Sequence, residues 1–293
     1  MQATCQLVNL STCQLVYLST RQLKKTTCQL VNLFTCQLAK HSTCQLNKNM
    51  EDIKRIFVDE TDSTNRLLGE HKGEEGCFMT VLHTDFQTSG RGQGTNHWES
   101  ERGKNLLVSM MTHPHNVPAA RQFVLLEAAA LAIKDTLVHY AEGFCIKWPN
   151  DIYYKDHKIS GTLSECRIGA GGIKRCIIGT GININQQSFI SDAPNPISLL
   201  HIVGQETNRN EVLEHLIMHT KQYMTRVHDG DFENIHNEYI QALHRRNGMH
   251  RYSDKSGEFM ARIENIKPNG HFILYKEDGT LGEYAFKEVE FLI

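Results

Sequence analysis

The chain has 293 residues, of which 40% are hydrophobic and 22% charged, and its net charge is −2 at neutral pH. This balance is typical of an ordinary globular protein, and it predicts neither a nucleic-acid-binding nor a membrane-binding protein. No run of about eighteen apolar residues and no secretion signal is present, so we expect no membrane span and a cytoplasmic location. The length suits one large and one small domain, or two medium ones.

Residues 1–49 are six imperfect copies of one unit, typified by TCQLVNLS, with a period of eight residues and one copy of seven. Such a unit is too short to form the supersecondary element that a folded repeat needs. We expect this segment either to be disordered or to result from a start codon assigned too far upstream, in which case the functional protein begins at Met50. A cysteine-rich arm that binds metal or is redox-active is the alternative. The repeat holds five of the nine cysteines. The other four are expected to be free core thiols: Cys77, Cys145, Cys166 and Cys176.

The first expected elements are a strand at residues 53–58, a helix that begins near Asn65, and a strand at residues 77–86. Ser63 or Thr64 is expected to cap the helix. Their hydroxyl groups and the Asn65 amide are uncharged donors and acceptors that suit a ureido or amide group of a ligand. Simple helix capping is the alternative interpretation.

A glycine-rich run follows this strand, QTSGRGQGTNHW, with Gly90, Gly92 and Gly94 around Arg91. Such a loop is expected to be mobile and to close over a ligand, with Arg91 meeting a phosphate or a carboxylate. The run is not a Walker loop, and no well-formed GxGxxG opens a helix, so a Rossmann site is not predicted. A flexible surface loop is the alternative.

The stretch CIKWPNDIYYKDHKISG places Lys147 at the end of a short apolar run. A lysine stem can pack beside aromatic rings while its ammonium group reaches a cavity, where partial desolvation strengthens its attraction for an anion. Asn150 follows in a tight turn, and Lys158 and Gly161 return on the second arm of a hairpin. A surface hairpin with solvated lysines is the alternative.

The later pattern predicts strands, helices and then a β-rich tail. Gly179 and Gly181, in IIGTGININ, would let a ligand or another backbone approach the sheet, although a bulge would look the same. The expected elements are a strand at 105–112, a helix from Pro118 to Gly143, strands at 159–168 and 174–184, helices at 210–227 and 232–244, and short strands beyond Gly248.

Four motifs occur in one order along residues 53–293: TDSTN, QTSGRGQGTNHW, KWPNDIYYKDHKISG and IGTGININ. Together they resemble the biotin protein ligase family, the biotin–acetyl-CoA-carboxylase ligases. Each motif alone is weak, whereas the four in this order are specific.

The resemblance implies an α+β fold, with a class II synthetase-like catalytic domain on a mixed sheet at residues 50–244 and an SH3-like β-barrel at 245–293. It implies an ATP-dependent, AMP-forming ligase. Biotin and Mg-ATP would give biotinyl-5′-AMP, and a lysine of a biotin carboxyl carrier domain would then receive the biotin. Mg²⁺ is expected without assigned ligands. A monomer or homodimer is expected, with no nucleic-acid or membrane partner.

The resemblance also assigns site residues, with Lys147 and Arg91 as the catalytic pair. The residues expected to bind biotin are Ser63, Thr64, Asn65, Gln87, Arg91, Gly92, Lys147 and Gly161. Those expected to bind ATP or the adenylate are Arg91, Gln93, Trp98, Asn150, Lys158, Gly179, Gly181 and Asn183.

Two residues depart from the family pattern. Thr95 stands where the family usually has glycine, which would stiffen the loop, and Gln93 stands where many members have arginine, which could alter retention of the intermediate. Residues before 53 lack the length and pattern of the winged-helix DNA-binding domain of bifunctional members, so transcriptional repression is not expected.

Two other functions compete with a biotin ligase. A lipoate or octanoate ligase would share the fold, but the KWPND motif is evidence against that function. A biotin-sensing module or corepressor without turnover would not need a cation at the reacting centre, so Lys147 argues against that class.

Overall fold

The computed structural model describes residues 52–71, 77–190 and 195–292. The octad repeat at 1–49 and the expected start at Met50 lie outside the described residues, so the interpretations placed on them stay predictions.

The first part of the chain forms a seven-stranded sheet with helices. Its elements are β1 (Ile53–Thr61), α1 (Thr64–Glu70), β2 (Met79–Gln87), β3 (Leu106–Thr112), a 3₁₀ turn (Ala119–Arg121), α2 (Phe123–Val138), β4 (Phe144–Lys147), β5 (Asp151–Tyr154), β6 (His157–Gly169), β7 (Gly172–Ile182), α3 (Leu199–Val203), α4 (Arg209–His228) and α5 (Phe232–Gln241). A second group of strands follows: β8 (His250–Asp254), β9 (Gly257–Ile266), β10 (Phe272–Lys276), β11 (Leu281–Tyr284) and β12 (Glu290–Phe291).

The large sheet has the strand order β1-β2-β3-β7-β6-β5-β4. β1 and β2 run parallel, and the other neighbours pair antiparallel. The predicted α+β class with a mixed sheet is therefore confirmed. Because β3 pairs with β7, the residue opposite Gly179 is Ser109, and the start of α1 lies close to Gly179, where Asn65 contacts it.

The two faces of this sheet carry different helices. Leu68 of α1 packs on Leu82, Met111 and Ile177, while Met110 alternates with Met111 and so points to the opposite face. On that face α2 contacts β4, β5 and β6, and α4 contacts α2 and β3. The core of this part of the chain thus lies on both sides of the central strands.

Helix α2 is buried around most of its circumference, at residues that include Leu125, Ala128, Ala130 and Ile133. A helix that is apolar all round suits a position between other elements, and α2 lies between the sheet and α4. The predicted start at Pro118 is early, because Pro118 precedes the 3₁₀ turn and the α-helix begins only at Phe123.

Helix α4 begins at Arg209, one residue before the predicted start at 210. The side chain of Asn208 accepts a hydrogen bond from the N–H of Asn210, and its amide donates to Glu211 at 3.2 Å. These bonds satisfy groups that a helix start leaves unpaired. Among the helices in the described part of the chain, none is both long and apolar enough to span a bilayer. None of the four described cysteines forms a disulfide, as expected, but only Cys176 is buried in the core and the other three are half-buried.

The second sheet has the order β11-β10-β9-β8-β12, and its two end strands do not pair with each other. The sheet is therefore open, and the predicted closed barrel is not confirmed. Tyr252, Ile263, Phe272 and Leu274 form a buried layer within it. The expected domain boundary after residue 244 stays a prediction.

Trp148 joins the turn after β4 to this second sheet. Its indole stacks on Phe272 with ring centroids 4.9 Å apart, and its Nε1–H donates to the Gly270 carbonyl at 3.1 Å. Stacking plus a satisfied N–H makes a well-defined anchor for a buried indole. The residue before it, Lys147, is consequently held near the second sheet.

A substitution at Gly270 tests how tightly the residues at this junction pack. The φ of Gly270 is +88°, and a Cβ there would lie 2.5 Å from Cδ2 of Phe123, whereas Gly279 has a similar φ of +85° and its nearest neighbour would be the Tyr275 hydroxyl at 3.7 Å. Left-handed strain costs each alanine variant about 1–2 kcal/mol, and crowding adds about 1–3 kcal/mol at Gly270 alone. Urea unfolding should therefore show a larger loss for Gly270→Ala than for Gly279→Ala. Equal losses of unfolding free energy in the two variants would mean that the Phe123 side chain moves aside at no cost.

Candidate active site

One cavity of about 1070 Å³ opens where α1, the glycine loop, β6, β7 and the C-terminal segment meet. Every residue that the motifs assigned to a site lines it: Ser63, Thr64, Asn65, Gln87, Arg91, Gly92, Gln93, Trp98, Lys147, Asn150, Lys158, Gly161, Gly179, Gly181 and Asn183. The structure thus brings these residues together, while the role of each stays a prediction.

One end of the cavity is lined by uncharged polar groups. The N–H and Oγ1 of Thr64 both donate to Oε1 of Gln87, at 2.8 and 3.0 Å. The amide Nε2 of Gln87 has no hydrogen-bond partner among the described residues, so it is available to an acceptor in the cavity. Ser63 stands at the predicted cap position, but its hydroxyl makes no capping hydrogen bond.

Asn65 has most of its hydrogen bonds inside the protein. Its Oδ1 lies 2.6 Å from Oγ of Ser109, and its Nδ2 donates to Oε2 of Glu165 at 2.8 Å and to the Leu163 carbonyl at 3.4 Å. A Cβ on Gly179 would lie 2.0 Å from the same Oδ1. Both amide hydrogens are used, so the side chain shapes the cavity wall and keeps only acceptor capacity for a ligand.

The glycine loop has a hydrogen-bonded backbone. Gly92 N–H donates to the Asn96 carbonyl at 2.8 Å, and Trp98 N–H donates to the Gly90 carbonyl at 3.0 Å. These bonds close the loop into a compact turn, which its glycine content alone did not predict. Its predicted mobility stays a prediction. From this turn Arg91 reaches Glu165, with Nη2 2.9 Å from Oε1.

Lys147 is a half-buried cation of the cavity, and aromatic side chains enclose its ammonium group. Its Nζ donates to the Tyr153 hydroxyl at 3.3 Å and lies 5.1 and 5.2 Å from the ring centroids of Tyr153 and Phe291. Burial lowers the pKa of Lys147; the Asp151 carboxylate acts in the opposite direction, and Lys158 adds to the lowering. Burial likewise raises the pKa of Tyr153, so the hydroxyl stays protonated beside the ammonium.

Four cations line the cavity, namely Arg91, Lys147, Lys158 and Lys287. Lys158 is paired with Asp151 at 2.8 Å, and Arg91 is paired with Glu165 at 2.9 Å. Neither Lys147 nor Lys287 makes an ion pair with a described residue, but Lys287 is exposed, so solvent and salt screen its charge. An anion that enters the cavity would therefore find its least compensated and least screened positive charge at Lys147.

Trp98 fills the space above two glycines of the sheet. A Cβ on Gly181 would lie 2.3 Å from its Cε2, and one on Gly161 would lie 3.1 Å from its Cζ3. The indole Nε1 is buried without a hydrogen-bond partner among the described residues. These glycines serve a side chain of the protein itself, and the indole forms part of the cavity floor.

Three amides have partners that tie the cavity wall together. Nδ2 of Asn150 bonds to the Thr162 carbonyl and lies 3.4 Å from Oε1 of Gln93. Nδ2 of Asn183 donates to the Ile197 carbonyl at 3.1 Å. The turn after β4 is therefore linked to the glycine loop as well as to β6.

Several cavity residues were missed by the sequence analysis. The C-terminal segment contributes Phe286, Lys287, Val289, Glu290 and Phe291. No local pattern marks them, because their approach depends on how the second sheet packs. Glu165, which contacts the lining residues Arg91 and Asn65, was also missed. It was predictable in part, because it lies four residues after Gly161 on β6 and alternate residues of a strand share a face.

Carboxylates line the cavity at Glu99, Asp151 and Glu290. Among residues 52–71, 77–190 and 195–292, no group of three or more His, Cys, Asp or Glu side chains could hold a metal ion. Mg²⁺ bound to a nucleotide needs fewer protein ligands, since phosphate oxygens and water supply most of its coordination and the protein adds one or two carboxylates. The donor set therefore fits a nucleotide-borne Mg²⁺.

The lowered pKa of Lys147 predicts a pH-dependent stability. Between that pKa and the ordinary value of 10.5, the unfolded chain binds more protons than the folded chain, so the free energy of unfolding of wild type rises with pH. Lys147→Met lacks this titration. Its stability relative to wild type should fall across that window, by about 1.4 kcal/mol for each unit by which the pKa is lowered.

Urea unfolding between pH 7 and 10.5 measures this difference. Lys255→Met, which removes an exposed lysine of the β8–β9 turn, is the matched control and should keep a constant difference from wild type. A constant difference for Lys147→Met as well would contradict the lowered pKa.

Comparisons with known proteins agree with the geometry. The profile of the biotin/lipoate A/B protein ligase family matches residues 58–183. The bifunctional ligase/repressor BirA of Bacillus spizizenii is 31% identical over 181 residues, which are 58% of this chain and 54% of that protein. The biotin–[acetyl-CoA-carboxylase] ligase of Mycobacterium tuberculosis is 29% identical over 166 residues, which are 55% of this chain and 60% of that protein. The chain thus spans about half the length of these relatives.

A solved structure shares the fold. Biotin protein ligase from Aquifex aeolicus in complex with biotin and ATP superposes with a TM-score of 0.67 at 24% identity, covering 81% of this chain and 97% of that one. The matched profile and the aligned relatives therefore relate residues 58–183 of the chain to the biotin/lipoate A/B protein ligase family, and the Aquifex structure shows that the fold is shared.

Proposed function

We propose that the protein is an ATP-dependent biotin ligase, which activates biotin as biotinyl-5′-AMP and transfers it to a lysine of a biotin carboxyl carrier domain. The observation that carries this proposal is the enclosed ammonium of Lys147, which makes no ion pair with a described residue. It lies in the same cavity as Arg91 and an uncharged polar end. A site that only bound a vitamin would not need this cation.

In the first step an oxygen of the biotin carboxylate attacks the α-phosphorus of ATP, and the bond from that phosphorus to the bridging oxygen of pyrophosphate breaks. Negative charge gathers at the phosphorus as the two anions meet. Lys147 and Arg91 are fixed positive charges that offset it, and they act most strongly where water is excluded.

In the second step the neutral amine of the carrier lysine attacks the acyl carbon of the mixed anhydride. The amide bond forms, AMP leaves with the electrons of the acyl–oxygen bond, and the amine loses a proton to solvent. Because the acyl adenylate hydrolyses readily, a loop that closes over it protects it from water. The turn that carries Arg91 is placed for that task.

The polar groups divide between the two ends of the ligand. We assign the ureido end to Gln87, Ser63 and Thr64, with Gly92 and Gly161 giving backbone access. We assign the nucleotide end to Trp98, Asn150, Lys158 and Asn183 together with Gln93, Gly179 and Gly181. Mg²⁺ would enter with ATP, held by phosphate oxygens and by Asp151 or Glu290, and would supply further charge neutralisation when bound.

The proposal also covers the activity shared with the relatives, the cellular location, the partners and the fold type of the two sheets. The Bacillus relative is named as a ligase and a repressor, and we assign only the ligase activity here, since residues 58–183, which match the family profile, include all the residues assigned to the site. The cytoplasmic location, the absence of a nucleic-acid partner and a monomeric or dimeric state remain predictions. We also propose that the large sheet is of the class II synthetase-like type and that the second sheet is an open variant of an SH3-like barrel.

Incubation with ATP, Mg²⁺ and an apo carrier domain, with either biotin or lipoate, tests the activity by intact mass. We expect the carrier to gain one biotinyl group, and Lys147→Ala to lower the rate about 10²- to 10³-fold, as loss of one preorganised charge contact does elsewhere. Lys255→Ala removes an exposed lysine outside the cavity and should match wild type.

The outcomes separate the competing functions. Transfer of lipoate in place of biotin would identify the protein as a lipoate ligase. Biotin binding without any transfer would favour a sensing module. Full activity of Lys147→Ala would remove the assigned role of that cation and leave the ligase assignment standing.

A further inference from the structure

Glu165 connects two parts of the cavity wall, from which it is separated by 74 and 100 residues along the sequence. Its Oε1 accepts from Nη2 of Arg91 at 2.9 Å, and its Oε2 accepts from Nδ2 of Asn65 at 2.8 Å. One carboxylate thus bridges the glycine loop and the start of α1.

The Asn65 end of this bridge is held rigidly. Asn65 is buried, and its amide oxygen lies 2.6 Å from the hydroxyl of Ser109, which is fully buried. The amide is confined further by Gly179, where even a Cβ would collide with it. Because the oxygen faces a hydroxyl and the NH₂ group faces a carboxylate, the amide has one favoured orientation. It therefore fixes the position of Glu165.

The Arg91 end has donors to spare. A guanidinium group carries five N–H donors in one plane, and the bond to Glu165 uses a donor on Nη2. The remaining donors can meet an anion in the cavity while this bond persists. A bond that holds the plane in advance also lowers the conformational entropy that a long side chain loses when the ligand arrives.

The pair is poorly suited to a purely structural role. The side chains of Arg91 and Glu165 are 46% and 39% exposed, so solvent screens their attraction and the pair contributes little to the stability of the fold. Its specific consequence is the direction in which Arg91 points.

We infer that Glu165 is a positioning residue, which ties Arg91 to the rigid Asn65–Ser109 framework and so aims the guanidinium at the carboxylate of the ligand. This inference rests on the proposed function, since biotin supplies that carboxylate. Removal of the Glu165 charge should weaken binding of the anionic ligand more than binding of its neutral amide.

A double-mutant cycle tests the inference. Dissociation constants for biotin and for biotin amide are measured by calorimetry with wild type, Glu165→Gln, Arg91→Ala and the double variant. We expect Glu165→Gln to weaken biotin about five- to tenfold, the scale of coupling between contacting groups, and to weaken biotin amide less than about twofold. In the Arg91→Ala background the same change should have no further effect on biotin.

Two further variants keep the result interpretable. Glu165→Asp keeps the charge on a shorter stem and should retain part of the coupling to Arg91, so it tests the inference if Glu165→Gln folds poorly. Glu264→Gln removes an equally exposed partner of an arginine, Arg262 at 3.1 Å, on the second sheet, and should leave both dissociation constants at their wild-type values.

The outcomes are distinct. Equal losses for biotin and biotin amide, or additive losses in the two backgrounds, would overturn the positioning role and leave the proposed function intact. Wild type that binds biotin no more tightly than biotin amide would also overturn it. Wild type that binds neither compound and biotinylates no carrier would overturn the proposed function together with this inference.

Discussion

The enclosed ammonium of Lys147 is the constraint on which the arrangement of the site depends. An ammonium group loses hydration when it is buried, and this loss must be offset by other contacts. Here the offset is partial: a hydroxyl and the ring of Tyr153, the ring of Phe291, and the field of Asp151. The lowered pKa of Lys147 reflects the part of the desolvation cost that these contacts do not offset. An arriving anion completes the solvation of the ammonium, so the site gains affinity from a position that is unfavourable without a ligand.

Both sheets are needed to hold that cation. β4 delivers Lys147 to the cavity, and the stacking of Trp148 on Phe272 fastens the following turn to the second sheet. Phe291 of β12 also lies near the ammonium, with its ring centroid 5.2 Å from Nζ. A change in how the second sheet packs would therefore alter the charge environment of Lys147, so the small C-terminal sheet would influence the proposed reaction without supplying its main cation.

Short motifs predicted which residues line the cavity better than they predicted the contacts among those residues. Lys147, Arg91 and Trp98 stand in runs whose composition is unusual enough to be noticed locally. Their partners lie far away in the sequence: Glu165 reaches Arg91 across 74 residues, and Ser109 meets Asn65 through the pairing of β3 with β7. Register and sheet packing determine such contacts, and neither can be read from a local pattern. For the same reason the strands of the second sheet were predictable, whereas its open form was not.

The glycines of β7 illustrate how one pattern supports different structures. Gly179 and Gly181 are two residues apart and so share a face of the strand, which the sequence analysis interpreted as space for a ligand or a bulge. In the structure Asn65 occupies the space over the first and Trp98 the space over the second. Trp98 belongs to the same hydrogen-bonded turn as Arg91. If this turn lifts, the indole must leave Gly161 and Gly181, so the floor of the cavity and the position of its arginine change together.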